Sequence, residues 1–219
     1  HDALPIYIYK LAVIANMKLQ SLSSCGDIAV SVYSGWLAYS TFDHEWVKHQ
    51  IEDTTVEEVL IKNWPGLHIE PLQAPENMEV LIGWTGSPAS SPHFVSEVKR
   101  LKSDPSFYGD FLEDSHRCVE KLIHAFKTNN IKGVQKMVRQ NRTIIQRMDK
   151  EATVDIETEK LKYLCDIAEK YHGASKTSGA GGGDCGITII NKDVDKEKIY
   201  DEWTKHGIKP LKFNIYHGQ

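Results

Sequence analysis

Apolar residues recur at helical spacing over residues 6–20. Ile6, Leu11, Ala12, Ile14, Met17 and Leu19 are interleaved with Lys10, Asn16 and Lys18, and the period predicts a helix. Serines break the pattern at residues 21–24. Residues 27–39 are mostly small and apolar, with Ile28, Ala29, Val30, Val32, Trp36, Leu37 and Ala38. Their alanine content and length predict a buried helix in spite of the β-branched positions. Thr41-Phe42-Asp43 reads as the end of a short strand. A short amphipathic helix is predicted at residues 56–61, a strand at 68–72 and a stronger strand at 78–84 (Met-Glu-Val-Leu-Ile-Gly-Trp).

Residues 85–92 form a loop of small polar residues. Helices are then predicted at 93–102, 108–128, 132–149 and 158–171, the last with Leu161, Leu164, Cys165, Ile167 and Ala168 on one face. A β-branched run at 187–190, a helix at 196–206 and a strand at 211–215 close the chain. Strands give way near residue 78 to a helical block closed by two strands. A boundary just before Met78 divides residues 1–77 from 78–219.

One segment has no such period. Residues 178–186 read Ser-Gly-Ala-Gly-Gly-Gly-Asp-Cys-Gly. Consecutive glycines cost backbone entropy on folding, so an ordered run of them has a steric purpose. The purpose that fits is to turn backbone N–H groups inward on an anion such as phosphate. The strand-like run after it argues against a flexible linker, although a tight turn is the plainer reading. Neither the P-loop nor the dinucleotide fingerprint is present: no Gly-Lys-Ser/Thr follows the glycines.

Composition narrows the field. The 219 residues carry a formal charge of −4, with 26% charged and 41% hydrophobic residues, as expected of a globular chain. Net acidity argues against general nucleic-acid binding. No apolar run reaches the length of a membrane span and no secretory signal opens the chain, so no membrane partner and a cytoplasmic location are expected. Cys25, Cys118, Cys165 and Cys185 form no C-x-x-C pair, and zinc is not expected.

A second segment, Ser23-Ser24-Cys25-Gly26-Asp27-Ile28-Ala29, places serines and a glycine ahead of a helix with a carboxylate in its first turn. Helix capping alone would account for Asp27. Yet three features follow in order: Ser-x-Gly-Asp-x-Ala opening a helix, Gly-Trp-Thr after a strand, and Lys-Thr-Ser-Gly-Ala-Gly-Gly-Gly-Asp-Cys-Gly. In this the chain resembles the bacterial, staphylococcal-type phosphomevalonate kinases of the GHMP small-molecule kinase superfamily, from about Tyr7 to near its end.

The resemblance implies an α+β fold: a ferredoxin-like C-terminal lobe in residues 78–219 and, in 1–77, a remnant of the ATP-binding lobe. That family's earlier motif, Pro-x-x-x-Gly-Leu-Gly-Ser-Ser-Ala, and its N-terminal lysine do not occur here. The chain is therefore expected to lack the N-terminal part of its lobe, that missing part being its partner, and to be inactive alone. The implied reaction moves the ATP γ-phosphoryl group to 5-phosphomevalonate, with Mg²⁺. Asp27 would orient the acceptor or the metal, and Ser24 would reach Mg²⁺ or a phosphate.

Ser178, Gly179, Ala180 and Gly181 would lie over the phosphates, with Gly182 and Gly183 completing the loop. Asp184 would brace it by bonding its own backbone. Asp27 and the loop would face one cleft. Trp84, Ser90 and Ser91 are further candidates for substrate contact, against a core tryptophan and a helix cap. Arg139, Arg142 and Arg147 recur along one helix, either as a solvated basic face or, for Arg142, as a phosphate contact. Two alternatives stay open: another mevalonate-pathway GHMP enzyme (mevalonate kinase or diphosphomevalonate decarboxylase), or a non-catalytic phosphate-binding fragment.

Overall fold

The computed structural model describes residues 4–19, 23–88, 105–152, 154–179 and 181–216. The chain forms two compact units, His1–Gln73 with Asn214–Gln219, and Ala74–Phe213.

The first unit contains helix α1 (Leu4–Met17), helix α2 (Gly26–Tyr33), strand β1 (Trp36–Ser40), helices α3 (His44–Asp53) and α4 (Val56–Ile61), and strand β2 (His68–Leu72). β1 and β2 pair antiparallel, with Ala38 opposite Glu70. The core gathers Tyr9, Val13, Ile14, Cys25, Ala29, Phe42, Val47, Val59 and Trp64. Helix α1 turns Leu4, Ile8 and Leu11 outward, all exposed. Lys10 is buried, and its ammonium donates to the carbonyls of Leu60 (2.9 Å) and Lys62 (2.7 Å) at the end of α4. A cation there answers the negative end of the helix dipole, while burial pushes the Lys10 pKa down.

Two features of this unit depart from the expected pattern. Residues 27–39 are not one helix. Ser34 (φ 63°) and Gly35 (φ 64°) both have positive φ, which ends α2, and the chain turns into β1. Residues 41–43 are no strand end; Asp43 caps α3, its carboxylate accepting from the Trp46 N–H at 3.0 Å. The tail returns to this unit, where the Tyr216 carbonyl accepts from the Gly35 N–H at 2.8 Å.

The second unit holds strand β3 (Met78–Trp84), helices α5 (Pro105–Lys127), α6 (Ile131–Ala152) and α7 (Glu159–Lys170), strands β4 (Ala174–Thr177) and β5 (Cys185–Asn191), helix α8 (Lys196–Lys205) and strand β6 (Lys209–Leu211). The sheet order is β4-β5-β3-β6, with every neighbouring pair antiparallel. Joined in this sequence, the strands make the split βαβ arrangement of ferredoxin-like folds. The expected helix at 93–102 lies outside the described residues. The last strand is Lys209–Leu211, earlier and shorter than residues 211–215.

Leu81, Leu164, Cys165, Ile167, Ala168, Ile190, Ile199, Trp203 and Ile208 form the core between sheet and helices. Gly83 and Gly186 face each other across β3 and β5. A Cβ on either would stand 2.7 Å or 2.6 Å from Leu164, so the glycine pair lets α7 settle onto the sheet.

Candidate active site

The turn before α2 is held from several sides. The Ser24 carbonyl accepts from the hydroxyls of Tyr39 and Thr41 (the latter at 3.2 Å), and the Tyr39 hydroxyl bonds that of buried Tyr9 at 2.8 Å. Cys25 is buried in the left-handed conformation (φ 56°), and its N–H donates to the Ser23 hydroxyl at 3.2 Å. Burial raises the Tyr9 pKa far above the tyrosine range and lifts the Cys25 thiol as well.

Cys25, not Asp27, is the N-cap residue of α2. Asp27 lies exposed in the first helical turn, and its carboxylate makes no hydrogen bond or ion pair among the described residues. The capping explanation of Asp27 therefore fails. Ser24, three residues earlier, is exposed, its hydroxyl 3.5 Å from the Gly26 nitrogen.

In the second unit, the glycine segment connects the antiparallel strands β4 and β5. Gly179, Gly181, Gly182, Gly183 and Asp184 all have positive φ, the left-handed region where a Cβ is costly. Ala180 lies outside the described residues. Three N–H groups of the loop are already used: Ser178 donates to the Cys185 carbonyl (2.9 Å), Gly182 to the Ile156 carbonyl (2.7 Å) and Asp184 to the Ser87 carbonyl (2.6 Å). Ser178 therefore cannot offer its N–H to a phosphate as expected. The N–H groups of Gly179, Gly181 and Gly183 have no partner among the described residues. Unpaired backbone N–H groups close together in a turn are the donors an anion-binding concavity uses.

Asp184 braces the loop differently from expectation. Its carbonyl accepts from the N–H (2.8 Å) and hydroxyl (2.9 Å) of buried Thr85. Among the described residues, its exposed side chain receives the Cys185 thiol, at 3.7 Å. Trp84 is no core residue: it is 37% exposed and pairs with Cys185 at the end of the loop. Ser90 and Ser91 lie outside the described residues.

Two cations stand near the loop that sequence reasoning did not assign. Lys160 donates to the Thr85 carbonyl (2.9 Å) and Lys176 to the Thr177 carbonyl (2.7 Å). Burial pushes the Lys176 pKa down. Only the adjacency of Lys176 to the glycine motif could have signalled it.

All three arginines are ion-paired; the Arg139 and Arg147 side chains stay 41% and 45% exposed, and that of Arg142 is 13% exposed. Arg139 pairs with Glu169 (2.7 Å), Arg147 with Asp114 (2.6 Å), and Arg142 with Glu157 (2.5 Å) and Asp166 (3.0 Å). Arg142 is thus committed within the protein. No cluster of three or more His, Cys, Asp or Glu side chains suited to a metal occurs among the described residues. The oxygen donors of Asp27 and Ser24 suit a Mg²⁺ held mainly by substrate phosphates, which needs only one or two protein ligands.

Residues 122–209 match the family model described as "GHMP kinases C terminal". A phosphomevalonate kinase from a Streptomyces species is 34% identical over 206 residues, 93% of this chain and 55% of that protein. A crystal structure of a protein from Listeria innocua matches with a TM-score of 0.90 and 39% identity, over 96% of this chain and 59% of that one. Phosphomevalonate kinase of Streptococcus pneumoniae, solved in complex with phosphomevalonate and AMPPNP, matches with a TM-score of 0.84 and 26% identity, over 95% of this chain and 60% of that one. The chain thus spans little more than half the length of the relatives it matches. Its ferredoxin-like sheet, its left-handed glycine loop and these likenesses lead to one assignment: the chain is a homologue of phosphomevalonate kinase, and it carries a GHMP kinase C-terminal domain.

Proposed function

We propose that this chain serves an ATP-dependent phosphomevalonate kinase of the cytoplasm. A phosphate oxygen of 5-phosphomevalonate attacks the γ-phosphorus of ATP, the bond to the bridging oxygen breaks, and diphosphomevalonate and ADP leave. The observation that carries this reading is the glycine loop, with its three unbonded N–H groups among the described residues. Donor and acceptor are both multiply anionic, so catalysis is mostly positioning and charge stabilisation. The N–H groups of Gly179, Gly181 and Gly183 bind phosphate oxygens. Lys160 and Lys176 add positive potential near the base of the loop, and Trp84 and the described part of the loop bound the acceptor.

Asp27 orients the acceptor or the metal. A general base is not required, because the acceptor oxygen is already ionised near neutral pH. Mg²⁺, when bound, neutralises the phosphates; the Ser24 hydroxyl and Asp27 carboxylate are the oxygens this chain offers it.

A coupled ADP-release assay on the intact enzyme with mevalonate, 5-phosphomevalonate and diphosphomevalonate, each with ATP and Mg²⁺, tests the reading. Turnover is expected with 5-phosphomevalonate. Turnover with either of the others in its place would assign the protein to another mevalonate-pathway enzyme. The 219-residue chain alone is expected to turn over negligibly, since it contains no Gly-Leu-Gly-Ser-Ser-Ala segment.

A further inference from the structure

The glycine loop rests on a neighbour that has no regular structure of its own. Besides the bond from Gly182 to the Ile156 carbonyl at 2.7 Å, Gly181 lies flat against the same residue. A Cβ on Gly181 would stand 2.4 Å from Ile156 Cγ2 and 2.6 Å from its carbonyl oxygen. Ile156 belongs to the strap between α6 and α7, residues 154–158 as described, which is neither helix nor strand.

Such a strap must find its hydrogen-bond partners elsewhere. Asp149, in the last turns of α6, supplies them: Oδ1 accepts from the Ile156 N–H and Oδ2 from the Glu157 N–H, each at 3.0 Å. The Glu157 carboxylate, 5% exposed, takes two bonds from Arg142 (2.5 and 3.1 Å) and one from Gln146 (2.7 Å). Beneath the strap, Val154 and Ile156 pack with Met148, Phe111 and Ile145.

We propose that Asp149 is a positioning residue for substrate binding: through the Ile156–Glu157 strap it sets the glycine loop in its binding conformation before any ligand arrives. The inference rests on the reading of this loop as the phosphate-binding element. A run of glycines is costly to order. If the strap bears that cost during folding, none of it is charged to the substrate. Loosening the strap therefore weakens acceptor binding more than it slows the chemical step.

The test uses Asp149→Ala, Asp149→Asn, which keeps one carbonyl acceptor, and Lys150→Ala as a neighbouring control. Amide hydrogen exchange of Gly182 is read without ligand, and KM and kcat for 5-phosphomevalonate are read on the intact enzyme. Losing the two bonds to the strap is expected to speed Gly182 exchange and raise KM by about tenfold each, with kcat within about threefold. Amides of α5 and β5 keep their protection, Asp149→Asn is intermediate and Lys150→Ala is unchanged. If the Ala variant unfolds, the Asn variant carries the test.

Unchanged Gly182 exchange overturns the proposal whatever the kinetics. Faster exchange with an unchanged KM also overturns it, and places the fault in the assigned role of the loop rather than in the strap.

Discussion

Asp27 stands second in an eight-residue helix whose N-cap is Cys25, and its carboxylate makes no bond among the described residues, while its carbonyl accepts from the Ser31 hydroxyl at 2.8 Å. Its structural worth is a carboxylate near a helix N-terminus, a few tenths of a kcal/mol at an exposed position. Asp27→Asn keeps the shape and removes the charge. Thermal stability should stay within about 0.5 kcal/mol of wild type, while turnover should fall roughly 10²-fold or more, as for a positioned catalytic group. Unimpaired turnover of the Asn variant would strike Asp27 from the site. The sequence could show that Asp27 opens a helix but not which residue caps it, because Cys25 does so through a left-handed backbone with no side-chain cap bond. The glycine loop was legible because glycine itself marks positive φ. Which N–H groups remain open was not, since Ile156, Ser87 and Cys185 take theirs through tertiary contacts. The same holds for Arg142, whose partners Glu157 and Asp166 lie 15 and 24 residues away.

At the scale of elements, strong periodicity was readable and weak periodicity was not. The strand Met78–Trp84 and the helices α5, α6 and α7 fall where apolar spacing puts them, with ends shifted by a few residues. Residues 27–39 misled because an apolar run looks alike as buried helix or strand, and two residues of positive φ in its middle decide between them. Helix α3 escaped notice because its ten residues (His-Glu-Trp-Val-Lys-His-Gln-Ile-Glu-Asp) carry little apolar signal. Strand β4, Ala-Ser-Lys-Thr, is buried yet polar; the Ser175 and Thr188 hydroxyls satisfy each other across to β5. The contact between β5 and α7 yields a stability prediction. In Gly186→Ala the new methyl meets Leu164 at 2.6 Å, well inside van der Waals distance. Overpacking of this kind costs about 1–3 kcal/mol, to be read as a lowered urea midpoint. Leu164→Ala made in the same chain should cost less than the sum of the two single changes, because both act on one contact. Strict additivity would show that the sheet absorbs the methyl elsewhere.

For the whole molecule, acid acts first on the carboxylates that neighbouring donors hold ionised. Asp114, Asp166 and Glu202 are held below their usual range. At Asp114, bonds from Arg147 and Arg117 lower the pKa; at Glu202, those from Lys170 and Tyr171 do so. At Asp166 burial works the other way, and the bonds from Lys162 and Arg142 outweigh it. All three lie in Ala74–Phe213. A depressed carboxylate lends stability that is present above its unfolded pKa and is lost as pH falls through the folded one. The urea midpoint should therefore hold from neutral pH to about pH 4 and fall as the pH drops below that. Asp166→Asn should lower it at pH 7 and flatten the acid decline, whereas a wild-type midpoint independent of pH would refute the assignment. Every thiol is shifted in the opposite sense. Burial raises Cys25, Cys118 and Cys185, and lifts Cys165 to about 12. Since the thiolate is the reactive form, the chain is a poor target for oxidants and alkylating agents near neutral pH. Cys25, Cys118 and Cys165 are also shut away from reagents, while Cys185 is half-open at the end of the glycine loop. Mildly alkaline conditions would expose that sulfur to a maleimide ahead of the other three. A fluorophore could then be placed beside the loop of the natural sequence, with no residue replaced.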